Sequence, residues 1–176
     1  PTFGNYTGLD RQGAYLDLGG KGIYRDDDGN WADLVAANLG IDTRWLDIQG
    51  GREGLFGLRF GFAEIPRYFA EGARTPFLGN GGNVLSLPGG VGFPAATSPA
   101  MPLANTLQPL GLGYQAKRYD LSGKWIGQDN FTYRVSLQRD VRDGTKPTSG
   151  SFFSTASQLA SPVDQTTDQL EAAVSY

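Results

Sequence analysis

The side chains able to do chemistry are few in kind. Histidine and cysteine are both absent, which removes imidazole bases, thiolate nucleophiles, disulfides and most zinc, copper or haem ligation together. A Ser-His-Asp or Cys-His mechanism cannot be assembled from this chain. Carboxylates, lysines, arginines and tyrosines remain, and no pair of them has the spacing of a catalytic couple. The chain therefore reads as a non-enzyme with no cofactor of its own. Asp26-Asp27-Asp28-Gly29-Asn30 begins like a calcium loop but lacks the bidentate glutamate at the twelfth position, so it reads as a surface turn. The glycines between Gly79 and Gly90 are followed by no Gly-Lys-Ser/Thr and cradle no phosphate. The charged residues instead alternate with apolar ones.

The alternation is plainest between Asp42 and Glu64. Phe56, Leu58, Phe60 and Phe62 share one parity, while Gly57, Arg59, Gly61 and Ala63 share the other. Successive strand side chains point to opposite faces, so this is a strand with one apolar face. Its other face is thinned by glycine around Arg59, as if it lined a space that something else fills. Before it come Leu46 and Ile48, with Arg44, Asp47 and Gln49 read as mostly on the other side. Gly50, Gly51 and Gly54 suit a tight hairpin.

Composition agrees with a β protein. Glycine (26 of 176 residues) is about twice its average frequency, and aromatics reach 12 %, which suits short alternating strands. A net charge of −3 without a basic run argues against nucleic acid as a partner. No run of about 18 apolar residues occurs, so no transmembrane helix is expected. A mean hydropathy of −0.33 does not exclude a membrane barrel, whose strands give only a weak signal each.

In chain order, residues 1–13 read as a turn-rich lead-in and 14–64 as three strands. The first is Ala14 to Arg25. The second starts at Trp31; at Gly40–Thr43 the apolar parity changes from Val35, Ala37, Leu39 and Ile41 to Leu46 and Ile48, which marks a β-bulge or a separate turn, the bulge being favoured because only Gly40 offers turn chemistry. The third is Gly54 to Glu64. Residues 65–113 form a long Gly/Pro-rich loop, too apolar for a solvated linker. Residues 114–176 supply strands four to six, the clearest being Phe131, Tyr133, Val135 and Leu137 against Thr132, Arg134, Ser136 and Gln138. A polar loop is expected at 143–167. Tight connections at Gly51–Glu53 and Gln128–Asn130 alternate with longer ones at 26–30, 65–113 and 143–167, which is the outer-membrane barrel pattern. With the first residues on the periplasmic side, the longer connections would face the cell exterior. A soluble β-sandwich that binds a ligand such as a glycan fits the alternation as well, and so does a diffusion porin with an empty lumen.

Several stretches also resemble a known family. Phe3-Gly-Asn-Tyr-Thr-Gly-Leu, Asn38-Leu-Gly-Ile-Asp-Thr-Arg, Gly50-Gly-Arg-Glu-Gly-Leu-Phe-Gly-Leu-Arg-Phe and Ile65-Pro-Arg-Tyr are similar to the MtrB/PioB family of outer-membrane β-barrels. So are Gly72-Ala-Arg-Thr-Pro-Phe, Asp143-Gly-Thr-Lys-Pro and Thr167-Asp-Gln-Leu-Glu-Ala-Ala-Val-Ser-Tyr. The likeness runs over nearly all of the chain, keeps family order and covers the N-terminal part of a longer protein. The Cys-x-x-Cys that some members carry is absent.

The resemblance implies an all-β, antiparallel, up-and-down transmembrane β-barrel segment in the bacterial outer membrane. About six strands would belong to one larger barrel domain, since even small bacterial barrels use eight. The barrel would be a porin-like sheath around a periplasmic decahaem c-type cytochrome. Haem would be carried by that partner, electrons would cross the membrane through it, and an extracellular cytochrome could dock at the loops. Facing the lumen and partner are then Asp17, Lys21, Arg44, Arg59, Arg118, Asp120, Lys124, Arg134 and Glu171, with cations outnumbering acids. Facing outer-membrane lipid are Phe56, Leu58, Phe60, Phe62, Tyr133, Val135 and Leu137.

Overall fold

A computed structural model describes residues 6, 7, 9, 13–70, 72–90, 92, 93, 102–128, 130–152 and 155–176. The expected lead-in 1–13 lies largely outside them. Most of the described chain is strand, in β1 (Gly20–Arg25), β2 (Asn30–Ala37), β3 (Trp45–Arg52), β4 (Phe56–Ala70), β5 (Arg74–Thr75), β6 (Gln108–Pro109), β7 (Leu112–Ile126), β8 (Thr132–Phe152) and β9 (Thr155–Ser175). Seven of them form one sheet in the order β1-β2-β3-β4-β7-β8-β9, and β5 pairs with β6. Neighbours in the large sheet are successive in the chain once β5 and β6 are set aside, which is up-and-down topology. By contact density the chain divides into two compact units, one of residues 1–66, 115–142 and 165–176, the other of residues 67–114 and 143–164.

The strand count differs from the six expected because 38–44 is a reversal and not a bulge. β2 and β3 pair antiparallel with Ala37 opposite Trp45. Asn38 opens the turn at φ 57°, a left-handed position that asparagine tolerates better than other non-glycine residues. Its side-chain amide then donates to Thr43 Oγ1 (3.1 Å). Both faces of β2 carry apolar residues, so alternation alone could not show the reversal. The register sets Leu34 and Ala36 beside Ile48 and Leu46, on the face opposite to Val35 and Ala37.

The extra reversal also moves the first turn. Residues 26–29 were expected at the end of the longer connections, yet the Glu53 N–H donates to the Gly29 carbonyl (2.9 Å) and Arg52 Nε to the Asp28 carbonyl (3.1 Å). The Ile126 N–H reaches the Leu55 carbonyl, and the Gly127 N–H that of Phe131 (both 2.8 Å). The turns at 26–29, 53–55 and 127–131 therefore share one end of the sheet, and all are short. The stretch before β1 belongs to the other end, where the Leu39 N–H donates to the Leu18 carbonyl (3.0 Å).

The expected loop at 143–167 is strand. β8 and β9 run 21 residues each, and only residues 153 and 154 separate them. This stretch is rich in Ser, Thr, Gly and Pro, so propensity reads it as a loop, but pairing with a neighbouring strand overrides propensity. Pro162 lies on β9, the last strand of the sheet, where a missing N–H need not cost a ladder bond. The long connection after β4 is also more ordered than expected. β4 itself continues to Ala70, Leu78 and Ser86 form an isolated bridge, and a 3-10 turn spans Leu103–Asn105.

The acidic turn needs no cation. Asp26 Oδ1 accepts from the Asp28 and Asn30 N–H groups (3.0 and 2.8 Å), and Oδ2 from the Asn30 amide and the Tyr24 hydroxyl (2.9 and 3.0 Å). The Asn30 side-chain amide, followed by the Asn30 N–H, holds this carboxyl below the usual carboxylate range. A depressed folded value stabilises the turn above the unfolded pKa and is lost as pH falls through the folded one. Asp26→Asn is therefore expected to lower stability at neutral pH, with the difference from wild type vanishing in acid. Urea unfolding in lipid vesicles across pH checks this; a difference that persists at low pH would contradict it.

Candidate functional site: two faces of one sheet

Cross-strand partners lie on the same face of a sheet, so the register sorts the side chains. Phe56, Leu58, Phe60 and Phe62 stand opposite Arg52, Gly50, Ile48 and Leu46, and Ile48 and Gly50 opposite Leu34 and Ala32. Ala32 in turn faces Tyr24. On the other side of β4, the Phe62 and Tyr119 rings lie 5.2 Å apart. Phe131 and Tyr176 meet at 5.0 Å between the ends of β8 and β9, which puts Tyr133, Val135 and Leu137 on the face of Leu170 and Val174. The expected lipid-facing residues thus share one continuous apolar face, and all but the half-buried Phe62 are exposed, with Leu58 at 57 %, Val135 at 49 % and Leu137 at 47 %.

The opposite face carries the charges. Arg59 Nη2 lies 2.6 Å from Asp47 Oδ2, and Arg25 Nη1 3.0 Å from Asp33 Oδ1. Arg118 grips Asp140 with two bonds (2.8 and 3.3 Å), and the Gln138 amide donates to the same carboxylate (3.0 Å). Gly61 sits between two acids, since a Cβ there would lie 3.4 Å from Asp120 Cβ and 3.8 Å from Asp47 Oδ2. A shallow recess of about 420 Å³ is lined by Trp31, Gly57, Arg59, Lys124, Arg134 and Glu171 among others. A smaller one of about 270 Å³ joins Arg59 and Glu171 to Asp120.

Of the charged residues expected on this face, Arg59, Arg118, Asp120, Lys124, Arg134 and Glu171 do converge, and Lys21 shares the face opposite Val35. Two do not. Asp17 precedes β1, so no strand pairing fixes its face. Arg44 has the parity of Leu46 and Ile48, and its Nε donates to Glu64 Oε2 (2.5 Å) on the apolar side. The expected surplus of cations also shrinks, because Asp47 neutralises Arg59 and Asp140 neutralises Arg118. These acids show in the sequence only as members of alternating strands, and which cation each meets depends on register. Lys124 and Arg134 have no ion-pair partner among the described residues.

The apolar face is as open as the charged one. The paired acids are enclosed, Asp47 at 14 % and Asp33 and Asp140 at 21 % each, and their partners Arg59, Arg25 and Arg118 stay 56 %, 49 % and 51 % exposed, much as Leu58, Val135 and Leu137 do. A water-soluble fold buries such an apolar face, whereas an outer-membrane barrel has an apolar outside and a polar inside.

The comparison with known proteins decides between them. Residues 1–176 match the family model described as "outer membrane beta-barrel porin, MtrB/PioB". The chain belongs to the MtrB/PioB family. It is similar to "Outer membrane protein MtrB" of Shewanella baltica (strain OS185), with 33 % identity over 152 residues. That alignment covers 86 % of this chain and 22 % of the relative, so the chain spans about a fifth of the length of the curated MtrB it matches. As an MtrB/PioB member it is an outer-membrane, all-β, porin-like barrel segment. Neither helix nor long apolar run is needed to cross the membrane, because the strands do so.

Proposed function

We propose that this segment is a stretch of wall in an outer-membrane sheath that holds a multihaem c-type cytochrome for electron transfer across the membrane. The wall performs no catalysis and binds no haem itself. It excludes lipid on one face and presents a glycine-thinned surface on the other, where Arg25, Arg59 and Arg118 are paired with acids. The observation that carries the reading is an open apolar face backed by a charged one, with Gly51, Gly57 and Gly61 removing bulk where the charges lie. Removing side chains lets a protein guest approach the strands closely, and pairing Arg59, Arg25 and Arg118 with acids avoids isolated charges beneath it. Phe56, Leu58, Phe60, Phe62, Tyr133, Val135 and Leu137 then meet lipid. Lys21, Arg59, Arg118, Asp120, Lys124, Arg134 and Glu171 face the guest. Short turns in such barrels are periplasmic and long loops extracellular, which puts 26–29, 53–55 and 127–131 at the periplasm and the long connection after β4 outside. That connection is the natural dock for an extracellular cytochrome.

The test is haem content. The full-length barrel, extracted from its native membrane without added cytochrome, is expected to bring haem in fixed proportion to barrel. A haem-free barrel that lets small solutes through vesicles would make it an ordinary porin.

A further inference from the structure

The apolar face ends in the same way on five strands. At the end away from the short turns, the series Phe56, Leu58, Phe60, Phe62 is followed on its own parity by Glu64, and Ile48, Leu46 by Arg44. Trp125, Leu121, Tyr119 run into Lys117; Tyr133, Val135, Leu137 into Arg139; and Val174, Leu170 into Asp168. The five are not scattered. Arg44 Nε donates to Glu64 Oε2 (2.5 Å), Lys117 Nζ lies 3.5 Å from Glu64 Oε1, and Arg139 pairs with Asp168 (2.6 Å).

Among Arg44, Glu64 and Lys117 the acid is the enclosed member. The Glu64 side chain is 0 % exposed, and its Oε1 accepts no hydrogen bond. The Arg44 and Lys117 side chains, 43 % and 41 % exposed, reach outward on either side. One buried carboxylate thus orients two cations and neutralises only one of them. Arginine and lysine on the lipid face are costly at mid-bilayer and nearly free of cost at the interface. There, lipid phosphates are the available counter-charge, and each nearby cation contributes about 1 kcal/mol of attraction.

We propose that Arg44 and Lys117, spaced by Glu64, bind the phosphate of a phosphorylated lipid headgroup in the leaflet at that end of the strands. The site rests on the apolar face meeting lipid and is independent of what fills the lumen. The full-length barrel is reconstituted in phosphatidylcholine vesicles containing lipid A, either phosphorylated or dephosphorylated. Lipid A retained per barrel after detergent extraction is then measured by mass spectrometry. Wild type is expected to retain the phosphorylated form several-fold better. The triple variant R44Q/E64Q/K117Q, which removes the charges together, should lose that preference, and Lys117→Arg should keep it. Should the triple variant fail to assemble, Lys117→Gln leaves the Arg44–Glu64 bond intact and is expected to lower retention about fivefold. Equal retention of the dephosphorylated lipid, or an assembled triple variant with its preference unchanged, would overturn the proposal. A lipid-borne photoreactive probe tests the face separately, since it should label Leu58 and spare Arg59.

Discussion

Phe60→Arg is expected to destabilise the assembled barrel by about 2–4 kcal/mol, the cost of a lipid-facing arginine near the bilayer midplane. Phe60 lies within the apolar series that runs from Phe56 to Phe62 and opposite Ile48 on β3, far from either charged end. The neighbouring residue makes the contrast. Arg59 is already an arginine, one position along the same strand, and it is held by Asp47 at 2.6 Å. A single step along the chain thus changes the face from apolar to charged, as the period of a strand requires. Urea unfolding of the barrel in lipid vesicles gives the number. An assembled Phe60→Arg barrel of unchanged stability would show that the faces are reversed.

Arg44→Ala is expected to cost about 1–3 kcal/mol, and more than Glu64→Gln does. Breaking a fully buried ion pair costs about 3–5 kcal/mol. Here only the acid is enclosed, Arg44 is 43 % exposed, and Lys117 remains 3.5 Å away, so the cost is discounted for solvent and for the second cation. Glu64→Gln removes the charge that needs compensation and leaves its two cations free to turn outward. The same unfolding measurement compares the two. Glu64→Gln as the costlier change would mean that the cations, and not the acid, depend on the triad.

β4 and β8 were legible because their sequences alternate strictly and because the two faces differ so much in kind. Arg59 flanked by Gly57 and Gly61 already marked a face thinned by glycine. The reversal at 38–44 was hidden for a local reason. Trp31 and Val35 on one face of β2 look as apolar as Leu34 and Ala36 on the other, and the left-handed residue is Asn38 and not a glycine. The strands beyond residue 142 were hidden for a non-local one, since their order comes from pairing with one another and not from their own propensities. Site residues followed the same division. A residue's face could be read from parity, so most of the charged set was found. Its partner could not, because register decides that Asp47 meets Arg59 and Asp140 meets Arg118. Arg44 was misplaced by setting it with Asp47, although its parity is that of Leu46.

The central claim, that the polar face encloses a haem protein, is tested most directly by cross-linking from adjacent positions. Single cysteines at positions 59 and 60 of the full-length barrel, each carrying a short photoreactive cross-linker, are placed in native membranes and irradiated. The Arg59→Cys barrel is expected to yield an adduct that stains for haem, and the Phe60→Cys barrel only lipid adducts. A haem-staining adduct from position 60 and none from position 59 would contradict the assignment of the faces, and no such adduct from either would contradict the enclosed cytochrome.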